Sequence, residues 1–191
     1  MGRTGPNSRQ ASEAGETAIQ RTPAVWIATV AGVGFFPLAP GTAGSLVAAV
    51  AFLATQGLGL WVHLVLVLAV TTLGVWASGA SEAVFGRSDD GRIVIDEVAG
   101  QWIALTPLLV LPPIGGTSFF GAVVTGFVAF RLFDIWKPGP VRWAERRFRG
   151  GVGVMADDCV AGVLAAVVVA LAVVWLAPGL APEVGEVGGM S

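Results

Sequence analysis

The chain has 191 residues, of which 54% are hydrophobic and 13% charged, with a formal net charge of −2. A mean hydropathy of +0.77, set against a usual charged share of about 25%, excludes an ordinary water-soluble globule and gives no basic surface for nucleic acid. The single cysteine, Cys159, excludes an internal disulfide and any multi-cysteine metal site.

Residues 1–23 are polar, lack the apolar core of a secretory signal, and read as a disordered tail; the Gly-rich end, 179–191, reads the same way. Between them, 24–178 forms one membrane-embedded domain. No charge occurs between Arg21 and Glu82, between Glu97 and Arg131, or between Asp158 and Glu183. Stretches of this length suit membrane spans, which need about 20 apolar residues. Ala24 to Phe36 is apolar but short for a span. Pro40-Gly-Thr-Ala-Gly-Ser45 then punctuates the chain before a helix-like run to Thr55, which would rise only about 20 Å from Thr42. Leu58 to Ser78 reads as a spanning helix, Glu82 to Arg92 as a polar loop, and Asp96 to Leu111 as a further apolar run ended by Pro112-Pro113. A helix from Phe119 reaches Arg131-Leu-Phe-Asp-Ile-Trp-Lys137, where Pro138 stops it. Pro138 to Gly153 is basic and amphipathic, with Trp143 and Phe148 among arginines. Asp157-Asp158 open a last apolar run to Ala177.

Lys and Arg fall in the N-terminal tail and in the loops around Glu82–Glu97 and Lys137–Asp158, while the other turns carry none apart from intramembrane Arg131. The positive-inside rule therefore predicts an all-α, multi-pass bundle of five apolar helices with a cytoplasmic N-terminus and an external C-terminus. Glu82, Asp89, Asp90 and Glu145 then read as solvated loop surface.

The acids at helix ends suggest chemistry. Asp96-Glu97 and Asp157-Asp158 are expected at the starts of two membrane helices, where one acid suffices to cap free N–H groups. A doubled pair on two helices points instead to a shared cation, and oxygen-only ligands select Mg²⁺ or Mn²⁺. Gln101, four residues after Glu97, either extends this polar face or makes a helix–helix hydrogen bond. Arg131, Asp134 and Lys137 recur at three-residue spacing on one face; they fit a phosphate clamp beside the metal, against the simpler reading of an Arg131–Asp134 pair. Gly41, Thr42 and Ser45 form a helix start whose N–H groups can approach a ligand, with Thr42 as N-cap, although the P-loop lysine is missing. His63, deep in an apolar run, excludes histidine-relay chemistry. Cys159 has no arginine six residues on, which excludes the cysteine-phosphatase loop.

Phe36-Pro-Leu-Ala-Pro-Gly-Thr-Ala-Gly-Ser45, Ile95-Asp-Glu-Val-Ala-Gly-Gln101, Phe130-Arg-Leu-Phe-Asp-Ile-Trp-Lys-Pro138 and Gly150-Gly-Val-Gly-Val-Met-Ala-Asp-Asp158 occur in this order. The set resembles the phosphatidylglycerophosphatase A family from about Val25 to Ala177. That resemblance implies a Mg²⁺-dependent lipid phosphatase of the bacterial cytoplasmic membrane, acting in phospholipid biosynthesis with its site toward the cytoplasm. It would remove the terminal phosphate of phosphatidylglycerophosphate to leave phosphatidylglycerol. It also implies a central helix ringed by others, for which the helix ending at Lys137 is the natural candidate. The family's block residues fall on Asp96, Glu97, Asp157 and Asp158 as metal ligands, and on Arg131, Asp134 and Lys137 as catalytic groups. Gly41, Thr42 and Ser45 would then bind substrate. The expected partners are an anionic phospholipid and the membrane, with a homo-oligomer left open. The competing class is a small transporter or channel, which would place Arg131 and Asp134 on a two-sided path.

Overall fold

The computed structural model describes residues 22–176, which contain helices and turns and no strand. In chain order these are α1 (Pro23–Ala28), a 3₁₀ turn (Val33–Phe35), α2 (Pro40–Thr55), a second 3₁₀ turn (Gln56–Leu58) and α3 (Leu60–Phe85). They continue with α4 (Ile95–Leu105), α5 (Pro107–Val110), α6 (Gly116–Trp136), α7 (Gly139–Arg147) and α8 (Gly150–Leu176). The expected tails lie outside the described residues, except that Pro23 opens α1 instead of ending a tail.

Among the described residues four segments are long and apolar enough to cross a membrane: Pro40–Leu58, Leu60–Phe85, Gly116–Trp136 and Gly150–Trp175. The first reaches that length because α2 starts at Pro40, whose fixed φ and missing N–H suit the first helical position, and because the 3₁₀ turn prolongs it. Apolar side chains such as Val50, Leu68, Val124 and Leu171 face outward from these helices, as lipid contact requires.

The fifth apolar run does not become a fifth lipid-facing span. Pro107 interrupts it, so α4 has 11 residues, and nine of them are buried. This short helix is the centre of the bundle. The helix ending at Trp136, expected at the centre, is peripheral: among its 21 residues only Ala122, Val123, Gly126, Ala129 and Phe130 are buried. Small residues explain the difference. Ala99, Gly100 and Ala104 leave α4 slim enough to be approached closely. A Cβ on Gly162 of α8 would meet the Gly100 carbonyl oxygen, and a Cβ on Gly100 would lie 2.7 Å from the Asp158 carbonyl oxygen. The two backbones therefore pack in direct contact, and that contact brings Asp158 alongside the start of α4.

The charged start of α4 and the charged end of α6 lie at one end of the bundle, together with the start of α2 and the first turns of α8. At the opposite end His63, buried at the start of α3, bonds to the Trp102 carbonyl (3.2 Å) and the Thr106 hydroxyl (3.1 Å). This partnership keeps the only histidine away from the acids. Exposed Trp61 and Trp175 mark that far end, and exposed Trp136 and Trp143 mark the charged end, the arrangement of interfacial aromatic belts.

Candidate metal centre and phosphate site

Asp96 and Glu97 occupy the second and third positions of α4, where N–H groups lack helical acceptors. The N-cap, Val94, makes no side-chain cap bond, and the Asp96 carboxylate accepts from the Glu97 N–H at 3.1 Å, which satisfies one free donor of the first turn. That bond does not exhaust the pair. One oxygen each from Asp96, Glu97 and Asp158 lie within 4.8 Å of one another. Asp134 adjoins this cluster through Arg131, whose guanidinium lies against both Asp134 and Glu97. Three charges about 5 Å apart at an effective dielectric of about 20 repel by about 3 kcal/mol per pair, a sum comparable to the 5–15 kcal/mol that holds a whole domain folded. Such a set requires compensation.

Arg131 supplies part of it. Its Nη1 bonds Asp134 Oδ2 at 2.9 Å and approaches Glu97 Oε1 at 3.7 Å. One cation against four carboxylates leaves the cluster short of positive charge. Glu97 Oε2 and Asp158 Oδ2 are buried without any hydrogen-bond partner, as is Arg131 Nε. Three carboxylates with oxygens this close, two of them carrying a buried orphaned oxygen, fit a hard divalent cation, which takes oxygen ligands. The orphaned guanidinium N–H beside them fits an anionic oxygen.

The start of α2 closes over this cluster. A Cβ on Gly41 would collide with Glu97 Oε1 and lie 3.1 Å from Arg131 Nη2, so any larger residue there would push these two side chains from their present positions. Ser45 is fully buried, donates to the Gly41 carbonyl (2.9 Å) and accepts from Arg131 Nη1 (3.3 Å). Thr42 differs from expectation. The N-cap is Ala39, and Thr42 lies in the first turn with its side chain exposed. What it offers the site is a backbone N–H.

The second acid pair divides. Helix α8 begins at Gly150, so Asp157 and Asp158 lie two turns inside it instead of at its start. Adjacent helical positions point about 100° apart. Asp158 enters the cluster, whereas Asp157 Oδ2 turns to Lys137 Nζ at 2.8 Å. Lys137 is the C-cap of α6 in the left-handed conformation, φ 46°. It therefore leaves the face shared by Arg131 and Asp134 and bridges Asp157 to Glu145 Oε1 (2.7 Å). Burial alone would lower the Lys137 pKa, but these two carboxylates outweigh it and the net shift is upward. A polar cavity of about 380 Å³ adjoins this bridge, lined by Glu82, Ser88, Asp89, Glu145, Arg149 and Asp157 among others.

Of the four acids expected at a solvated surface, Asp89 and Glu145 are exposed, Glu82 is partly buried and Asp90 departs from the expectation. Asp90 is buried and holds Arg92 at 2.7 Å, and Glu82 accepts from Ser88 and the Asp89 N–H. Glu145 is half exposed but paired. Gln101 is fully buried, and both of its amide atoms lack partners. A structural helix–helix hydrogen bond from that side chain is therefore not made. In the sequence Gln101 is marked by its spacing of one turn from Glu97 and by its place at the end of the Ile95–Gln101 block.

A family model described as phosphatidylglycerophosphatase A matches residues 26–173. A Bacteroides thetaiotaomicron protein provisionally named a phosphatidylinositol-3-phosphatase is 42% identical, over 78% of this chain and 92% of its own length. The phosphatidylglycerophosphatase A of Escherichia coli is 39% identical, over 71% of this chain and 74% of its own. That of Haemophilus influenzae is 32% identical, over 76% and 85%. No solved structure matches the chain.

Proposed function

The chain belongs to the phosphatidylglycerophosphatase A family, and from that premise we propose that it hydrolyses the terminal phosphomonoester of phosphatidylglycerophosphate to phosphatidylglycerol. It is a multi-pass membrane phosphatase, with the charged end of the bundle toward the cytoplasm. The observation that carries this reading is the buried convergence of Asp96, Glu97 and Asp158, with two orphaned carboxylate oxygens, beside Arg131. A transporter would place its charges along a two-sided path; here they gather at one end.

Asp96, Glu97 and Asp158 would hold Mg²⁺, which when bound supplies charge stabilisation for the phosphoryl oxygens and acidifies a water. Arg131 binds the phosphate through the N–H groups not committed to Asp134. Ser45 fixes the guanidinium, and the N–H groups at the start of α2 add donors where charge develops. Asp134, oriented by its 2.9 Å bond to Arg131, accepts a proton from the attacking water. The P–O bond to the glycerol breaks, and the departing oxygen takes up a proton, so one water is consumed per phosphate released. Lys137 stays an ammonium, supports the outer wall, and attracts the anionic headgroup with the arginines of α7 and Arg149. The exposed Trp143 suits a helix lying in the headgroup layer.

The 42% identity to a protein provisionally named a phosphatidylinositol-3-phosphatase favours a second reading, the same chemistry on an inositol phosphomonoester. Phosphate release from detergent-solubilised protein separates the two. Phosphatidylglycerophosphate, with Mg²⁺, is expected to be the better substrate by kcat/KM. Preference for phosphatidylinositol 3-phosphate would select the second reading, and release from neither would overturn both.

A further inference from the structure

Helices α2 and α6 touch at the site, where Arg131 bonds Ser45, and part below it. Between them runs an apolar groove of about 210 Å³, lined by Leu46, Val50 and Leu53 on α2 and by Phe127, Val124 and Phe120 on α6, among others. The two sets step in opposite directions along the chain, as antiparallel helices require. Leu46 adjoins Ser45 and Phe127 stands one turn from Arg131, while Leu53 and Phe120 lie about 10 Å further into the bilayer at about 1.5 Å per residue. The groove thus begins at the phosphate-facing groups and descends along the bilayer normal.

Leu46, Val50, Val124 and Phe120 are all open toward lipid, so the groove is reached sideways from the bilayer. Other apolar hollows serve the site less well. One between α3, α5 and α8, lined by Leu64, Pro107 and Ala170 among others, surrounds the end of α4 remote from the acids. Another, along α6 and α8 from Val124 to Leu132, is shallower and has no contact to Ser45 or the start of α2.

We propose that the α2–α6 groove holds an acyl chain of the lipid substrate and admits that lipid from the side, with its phosphate ending at Arg131. This rests on the lipid-phosphatase reading and adds to it a binding site for the hydrocarbon portion. Lipid tails already lie in an apolar medium, so the groove adds little by transfer from water. Its contribution is positioning: a chain fixed between α2 and α6 aligns the phosphomonoester with the carboxylate cluster.

The test uses the full chain in phosphatidylcholine nanodiscs, with a phosphonate analogue of phosphatidylglycerophosphate bearing a mid-chain diazirine. Photolabelling is expected within 46–53 and 120–127, suppressed by excess phosphatidylglycerophosphate and not by further phosphatidylcholine. Val124→Trp and Val50→Trp should each lower labelling and kcat/KM at least tenfold, while Leu68→Trp, on an outward face of α3, leaves both unchanged. Label outside these segments, equal suppression by phosphatidylcholine, or wild-type turnover in both groove variants would overturn the proposal. So would disulfide-linked dimers of Val50→Cys in place of lipid label, which would make the groove an interface between copies. Phosphate release by the wild type is measured alongside. Its absence with competed groove labelling would count against the phosphatase reading alone.

Discussion

Two groups of charges meet at the same end of the bundle and are built on opposite principles. The outer one, Lys137 between Asp157 and Glu145, has bonds of 2.8 and 2.7 Å and no orphaned atom. The inner one sets Asp96, Glu97, Asp134 and Asp158 against Arg131 alone and leaves Glu97 Oε2, Asp158 Oδ2 and Arg131 Nε without partners. Satisfied polar groups hold a fold in place, whereas a buried deficit of positive charge is tolerated where a ligand completes it. Adjacent residues Asp157 and Asp158 fall on either side of this division, so they offer the sharpest comparison.

Asp158→Asn should have the largest effect. Losing a ligand that holds the phosphate-polarising ion removes several kcal/mol of transition-state stabilisation, so kcat is expected to fall on the order of a thousandfold. Folding should persist, because the change removes a repelling charge. Retained activity within tenfold would break the distinction. Asp157→Asn should act in the opposite sense. The loss of a charge-assisted hydrogen bond at a partly buried pair lowers stability by about 1–3 kcal/mol, read from thermal unfolding, with kcat changed less than tenfold.

Gln101→Leu tests whether the inner deficit extends down α4. A buried amide without partners is destabilising by about 1–3 kcal/mol, so an apolar replacement of similar size should raise the unfolding temperature. If the amide faces the site, kcat/KM should fall about 10- to 100-fold in the same variant. A more stable variant with unaltered kinetics would leave Gln101 outside the centre. The smallest effect belongs to Asp90, whose carboxyl is held below its ordinary value chiefly by the hydrogen bond to Arg92. A lowered folded pKa contributes stability that is present above the unfolded value and lost as pH falls through the folded one. Asp90→Asn should therefore flatten stability against pH below about pH 4 and leave it parallel to wild type above. A parallel profile at all pH values would contradict the pairing.

What could be read from the residues was the chemistry more than its placement. Apolar run lengths and the distribution of Lys and Arg indicated a helical membrane bundle, and the doubled acids marked the cluster before any geometry. The identity of the central helix was not legible, because α4 owes its burial to Gly100 and Gly162 meeting across the bundle. That is a pairing of distant positions with no local signal. The division of Asp157 from Asp158 depended on where α8 begins, and a start at Gly150 places both acids inside the helix instead of at its cap. Lys137 followed the three-residue spacing but not the helix, since Pro138 ends it there and the left-handed turn at Lys137 swings the side chain to α8.

Binding of a divalent cation by Asp96, Glu97 and Asp158, without Asp157, is expected to stabilise the folded protein. Titration of Mg²⁺ into metal-free protein, followed by thermal unfolding, tests it without reference to turnover, since a ligand that binds only the folded state raises the transition with its concentration. Saturable stabilisation is predicted for the wild type and for Asp157→Asn, and none for Asp158→Asn. Equal responses in all three, or none in the wild type, would contradict the account.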